Sequence, residues 1–236
     1  MARSKKTRLF RHVHQSGKSG KVFATKAEWK AMLDTHSVVG GQQIDLITLT
    51  ETSSALAGEA VHEWATENKW HIYRPTGYGP DEITLLSRTP LSRRRARRLT
   101  RLTLRSARKA PIYDVSAVVC GVRWHNWHSP AHNEGLAPNW PTKVYLSALR
   151  TLRLVGKGLH AYTGDWNVDL GNPKMRQRLR LPGMRWAVGP NQKGTLGKRI
   201  IDGVQTNVPI VRYSVTLPAC KGFDHHAIYT VLEIAA

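Results

Sequence analysis

Three short stretches of this chain combine residue types that can move protons and hold phosphate. Gly-Asp-Trp-Asn at 164–167 sets Asp165 and Asn167 two positions apart, so a strand would turn a carboxylate and an amide toward one face. Asp-His-His at 224–226 puts Asp224 beside His225 and His226, and "RIIDGV" ends an apolar run on Asp202. Glu51 closes "QIDLITLTET", and "NWHSPAH" carries His128. Imidazoles held by carboxylates exchange protons near neutral pH, and carboxylate oxygens hold hard divalent cations. Hydrolysis of a phosphate ester needs both capacities: an offset for the anion's charge, a base for water and an acid for the departing oxygen. Taken singly, each residue has a plainer role. Asp169, before Gly171 and Pro173, reads as a turn acid.

Such groups act together only where rigid elements bring them to one place, and strand ends meeting loops do this. "TRLFRHVHQ" reads as a first strand, and Gly17 to Lys21 as a solvated loop that lacks P-loop spacing. Thr25 with Glu28 three positions on is a capping-box pattern, opening a helix that turns Trp29, Met32 and Leu33 inward. A strand ending at Glu51, a helix over 53–69 and strands at 70–75 and 80–91 follow. Beyond them, 114–130 reads as one long core strand, 142–156 as a helix and 160–170 as a strand. The stretch 171–195 reads as a loop, and 198–207 and 223–234 as strands.

The chain's 36 Lys and Arg against 16 Asp and Glu leave a formal charge of +20, beyond what solubility needs. An extended polyanion matches it, nucleic acid ahead of an anionic membrane surface. The segment 92–109 is rich in cations and has no acid. Leu102 and Leu104 alternate there with Arg101, Thr103 and Arg105, as in a strand edge or hairpin. Arg93, Arg94, Arg95, Arg97, Arg98, Arg101 and Arg105 are its candidate phosphate contacts, which would position a nucleic acid without reading its sequence. With 236 residues and 41% hydrophobic content, a single domain with a substantial core is expected. It would carry a short basic tail (about 1–6) and a basic insertion or hairpin (about 92–109). Two cysteines make no disulfide framework. No apolar leader and no run of about 18 apolar residues is visible, so the expectation is a cytoplasmic monomer with no membrane span.

In chain order, "ITLTET", "LLSRTPL", "NWHSPAH", "YTGDWNVD", "RIIDGV" and "FDHHAI" resemble the motifs of the endonuclease/exonuclease/phosphatase superfamily, which includes pancreatic-type DNases and abasic-site endonucleases. The likeness runs from about Ile44 to Ile234 and is sharpest in Gly-Asp-Trp-Asn and Asp-His-His-Ala-Ile. It implies an α/β (α+β) fold, a four-layer αββα sandwich of two mixed β-sheets flanked by helices. It also implies a Mg²⁺-dependent nuclease, with Mn²⁺ as a substitute, that hydrolyses DNA, or else RNA, with low sequence specificity. The alternatives are a superfamily phosphoesterase on another phosphate substrate, and a nucleic-acid-binding relative without activity.

By residue, the resemblance makes Glu51 the principal metal ligand. Asp165 and Asn167 become contacts to the scissile phosphate and the attacking water. Asp202 becomes the acid paired with His225 as general base, and Asp224 supports that site or the metal. His128 becomes a candidate general acid, with Glu82 as its carboxylate partner. Three departures stand out. The family's first strand ends in Asn, where this chain offers only His14 or Gln15, and Gln15 supplies an amide oxygen for the metal. Phe223 and Ala227 replace the usual Ser and Pro. Strict strand alternation would group Asp224 with His226, whereas the resemblance selects His225.

Overall fold

Two twisted sheets lie face to face, each built around one parallel pair. The first runs, edge to edge, β12 (Ile210–Thr216), β13 (Ile228–Ala235), β1 (Thr7–Ser16), β4 (Leu46–Thr50), β6 (Thr84–Ser87) and β5 (His71–Tyr73). The second runs β10 (Arg185–Trp186), β11 (Asp202–Thr206), β9 (Leu159–Asp165), β8 (Val122–His128) and β7 (Tyr113–Val119). β1 and β4 are parallel, as are β8 and β9, and the other neighbours are antiparallel. A small hairpin, β2 (Val38–Val39) with β3 (Gln42–Gln43), follows the first helix. The computed structural model describes residues 7–17, 24–52, 54–74, 83–92, 113–129, 140–187 and 192–235. The expected contacts Arg93, Arg94, Arg95, Arg97, Arg98, Arg101 and Arg105, and also Glu82, lie outside the described residues.

Alternation along the strands splits the apolar residues into three layers. Val13, Ile47, Leu49 and Val231 face α1 (Lys26–Ser37) and α2 (Ala55–Glu67), meeting Trp29, Met32, Leu33, Val61 and Trp64. Phe10, Leu46, Leu85, Trp124, Ala161 and Leu232 fill the space between the sheets. Trp127, Tyr162 and Trp166 face α3 (Trp140–Val155) and α4 (Pro173–Leu179), meeting Val144, Ala148 and Leu179. This is the expected αββα sandwich. Thr25 closes the capping box with Glu28, as its spacing predicts. Trp124 and Trp127 are both buried in the core.

Between the sheets, composition changes along the strands. Phe10 and Trp124 stack at one end, with centroids 5.3 Å apart. Further along β1 the inward positions are His12, His14 and Ser16, and their neighbours on β4 are Thr48 and Thr50, all buried. Buried polar groups of this kind persist only when hydrogen-bonded. Asn126 ties the sheets together there, donating to the carbonyls of Leu49 (2.8 Å) and Thr84 (3.3 Å). The polar end is where the parallel strands finish.

Five features differ from expectation. The single long strand over 114–130 is a hairpin, β7 and β8, which turns at Cys120 and Gly121 with φ of 50° and 78°. The loop over 171–195 holds α4, capped by Asn172 with Pro173 in its first turn, and β10. β12 and the hairpin β2/β3 had no counterpart in the reading. Among the described residues no helix is long and apolar enough to cross a membrane.

Candidate active site

The polar edge collects the C-terminal ends of β1, β4, β8 and β9 and the start of β11. Strand register aligns Asp165 with His128 on one side and Asp202 on the other. Ligand atoms of Asp165, Asp202 and His225 lie within 4.8 Å of one another. His225, in the turn before β13, is 2.9 Å by Nδ1 from Asp202 Oδ2. Its neighbour His226 instead meets the Leu217 carbonyl at 3.0 Å, so the pairing with Asp202 goes to His225.

Glycine makes the Asp165 corner possible. A Cβ on Gly164, whose φ is 145°, would sit 1.8 Å from the Trp127 carbonyl oxygen on β8. Only a residue without a side chain lets the strands close here. β9 ends at Asp165, so Asn167 reaches its partner by a turn and not by strand alternation. It has φ of 50°, its N–H donates to Asp165 Oδ1 at 2.7 Å, and its side-chain amide donates to the Ser129 carbonyl. Glu51 follows β4 in the left-handed region, with φ of 57°, which for such a residue costs about 1–3 kcal/mol. Gly17 crowds against it, since a Cβ there would lie 2.8 Å from the Glu51 carbonyl oxygen.

Charges in this corner are strongly coupled. Burial and then the Asp202 charge push Asp165 up to about 8, against the opposing pull of His128 and His225. Burial would raise Asp202 too, but the His225 charge and hydrogen bonds from His14 and His225 outweigh it and hold Asp202 well below the usual carboxylate range. Burial would lower His225, yet Asp202, Asp165 and Glu51 bring it up to about 9. Glu51 is raised mainly by burial, with His128 and His225 opposing. The same two imidazoles therefore act on Glu51 and Asp165, so all four groups share one electrostatic neighbourhood.

A divalent cation fits this donor set. Both oxygens of Asp202 are engaged, Oδ2 by His225 and Oδ1 by the Ser16 hydroxyl at 2.6 Å. Glu51 is different: its buried Oε2 has no hydrogen-bond partner among the described residues. Half-buried Glu51, with its enclosed Oε2, and buried Asp165 are the residues that would hold a hard cation.

The structure thus brings Glu51, His128, Asp165, Asn167, Asp202 and His225 to one edge. Asp224 is exposed beside them, and its charge reaches Glu51. Gln15 is not brought in. It lies on the α1 side of β1, where its amide donates to the His225 carbonyl at 3.0 Å and accepts from His36 at 3.0 Å. The β1 residues that face the site are His14 and Ser16, whose inward direction the alternation of "HVHQS" already contained.

No family model and no curated protein matches the sequence. Solved structures do match the fold. Truncated Caenorhabditis elegans TDP2 aligns with a TM-score of 0.65 at 14% identity, covering 95% of this chain and 97% of that one. An endonuclease/exonuclease/phosphatase family protein from Bacteroides thetaiotaomicron gives 0.63 at 11% identity, with 98% and 97% covered. The endonuclease domain of TRAS1, a telomere-specific non-LTR retrotransposon, gives 0.56 at 9% identity, with 95% and 98% covered. The chain shares the fold of these solved structures.

Proposed function

We propose that the protein is a divalent-metal-dependent phosphodiesterase that hydrolyses nucleic acid, DNA foremost, with low sequence specificity. The observation that carries this reading is the Asp165–Asp202–His225 cluster beside a buried Glu51 oxygen that has no hydrogen-bond partner among the described residues. The net charge of +20 favours a long polyanion over a small phosphate as substrate.

Glu51 and Asp165 would hold the cation, Mg²⁺ or Mn²⁺, which supplies Lewis-acid charge stabilisation at the phosphate. A cation there would offset the Asp165 and Glu51 charges that help raise His225, leaving Asp202 as its partner and bringing proton loss from its ring toward neutral pH. Asp202 fixes the Nδ1–H of His225, so Nε2 is the atom that takes the proton from water. Asn167, held by Asp165 and Ser129, orients the phosphate or the water. His128, aligned with Asp165, stands on the opposite strand neighbour from Asp202 and would protonate the departing oxygen. Asp224 adds negative charge at the rim, and Glu82 and the 93–105 arginines complete the reading as His128's partner and the strand guide.

The test is purified protein on supercoiled plasmid, linear duplex, single strand and RNA, with Mg²⁺ or EDTA. Nicking that requires the cation and disappears in Asp165→Asn is expected, while DNA binding persists. Binding without cleavage under Mg²⁺, Mn²⁺ and Ca²⁺ would contradict the enzymatic reading.

A further inference from the structure

Asp202 is held from two sides. Besides His225 on Oδ2, it has His14 on Oδ1, whose Nε2 is 3.3 Å away. Nδ1 of His14 is 3.0 Å from Thr48 Oγ1, and that hydroxyl is 2.8 Å from Nε2 of His12. His12, His14, Thr48 and Asp202 are each at most 1% exposed. Nδ1 of His12 has no hydrogen-bond partner among the described residues.

Proton positions follow from that loose end. A buried N–H without an acceptor is costly, so His12 keeps Nδ1 bare and donates from Nε2 to Thr48. Thr48 then has its own hydrogen to give, and it goes to Nδ1 of His14. His14 must carry its proton on Nε2, which hydrogen-bonds Ser16 Oγ at 3.3 Å and lies 3.3 Å from Asp202 Oδ1. Ser16 has already donated its hydroxyl to Asp202 at 2.6 Å, so it can only accept from His14. A single arrangement satisfies every step, with both imidazoles neutral and each donor directed toward one carboxylate.

We propose that His14 is a positioning residue of the hydrolytic site: a neutral imidazole that clamps Asp202 Oδ1 together with Ser16, so that Oδ2 stays aimed at Nδ1 of His225. This rests on the hydrolase reading above. It excludes His14 as a metal ligand, because the only lone pair of its ring is occupied by Thr48. It also accounts for β1 ending without an amide at this position, since an imidazole reaching Thr48 on one side and Asp202 on the other does a different job.

The decisive experiment pairs two readouts on the full chain. In wild type, proton–nitrogen correlation of the histidine rings should show His14 protonated at Nε2 only and His225 protonated at Nδ1. In His14→Leu, nicking should lose about 10–100-fold in kcat, with KM for DNA within about threefold, the range seen when an orienting partner is removed. The His225 Nδ1–H signal should broaden or vanish. His14→Gln, which restores a donor, should recover part of the rate. Protonation of His14 at Nδ1 in wild type overturns the clamp even if His14→Leu fails to fold. So does a His14→Leu protein that nicks at the wild-type rate, and in that case the hydrolase reading stands. A wild type that cleaves no nucleic acid instead overturns the hydrolase reading, and the role of His14 in catalysis with it.

Discussion

Asp165 is an acid kept where water cannot solvate it and another carboxylate repels it, and both effects favour its protonated form. Its carboxyl holds a proton up to about 8 when folded and releases it near the ordinary aspartate value when unfolded. Between those values the unfolded chain binds fewer protons, so this group makes the metal-free protein less stable as pH rises. Asp165→Asn removes that cost. In EDTA at pH 7.5 or so, calorimetry should show a raised Tm, by roughly 2–4 °C for each kcal/mol recovered, in a protein that has lost cleavage. A second residue-scale prediction concerns Asp202, which raises the affinity of His225 for its proton. In Asp202→Ala the ascending limb of kcat/KM against pH should move to lower pH while the maximum rate falls. A limb that stays in place would detach Asp202 from His225.

At the scale of elements, placement depends on two glycines and on where strands stop. Gly164→Ala drives a methyl group into the Trp127 carbonyl on β8, and denaturation should show a loss above about 4 kcal/mol or no folded protein. Gly17→Ala meets the Glu51 backbone at 2.8 Å, a displacement and not a collapse. The chain should fold and lose up to about 100-fold in cleavage rate, the scale of a misplacement near 1 Å. Much of this frame was legible. The capping box at Thr25, the apolar strand before Glu51 and the Gly-Asp-Trp-Asn corner are local signals, and the structure forms each of them. The β7/β8 turn escaped because Cys120 takes a left-handed conformation usually given to Asn or Gly, and the apolar run continues through it. α4 had its signal in Asn172-Pro173, but seven residues are too few for a clear helical period. His14 was visible only as a gap where an Asn was expected. Its partners, Thr48 and Asp202, are 34 and 188 positions away, and only the sheet pairing brings them together.

At the scale of the molecule, charge and buried histidines set the response to solution conditions. Glu59, Glu63 and Glu67 of α2 are taken up by a ladder with Lys26 and Lys30 of α1, including Lys30–Glu67 at 2.9 Å, so they leave the basic excess elsewhere uncompensated. Cleavage below saturation should therefore fall as salt rises, with a slope of about −0.9 per phosphate contacted on duplex DNA. Burial holds His36 and His160 down at about 4, and His12 well below its ordinary value. These groups are neutral in the fold and charge more easily once unfolded. Their contribution is full above about 6.5 and is lost as pH falls toward 4, which acid-denaturation midpoints would report. The central claim, that Glu51 and Asp165 share a divalent cation at one catalytic edge, is tested most directly by the Mg²⁺ dependence of duplex cleavage in Glu51→Gln. The expected result is half-saturation at Mg²⁺ concentrations higher by at least about tenfold, with a lowered maximum rate and unchanged DNA binding. A Mg²⁺ curve that superimposes on the wild type would contradict it.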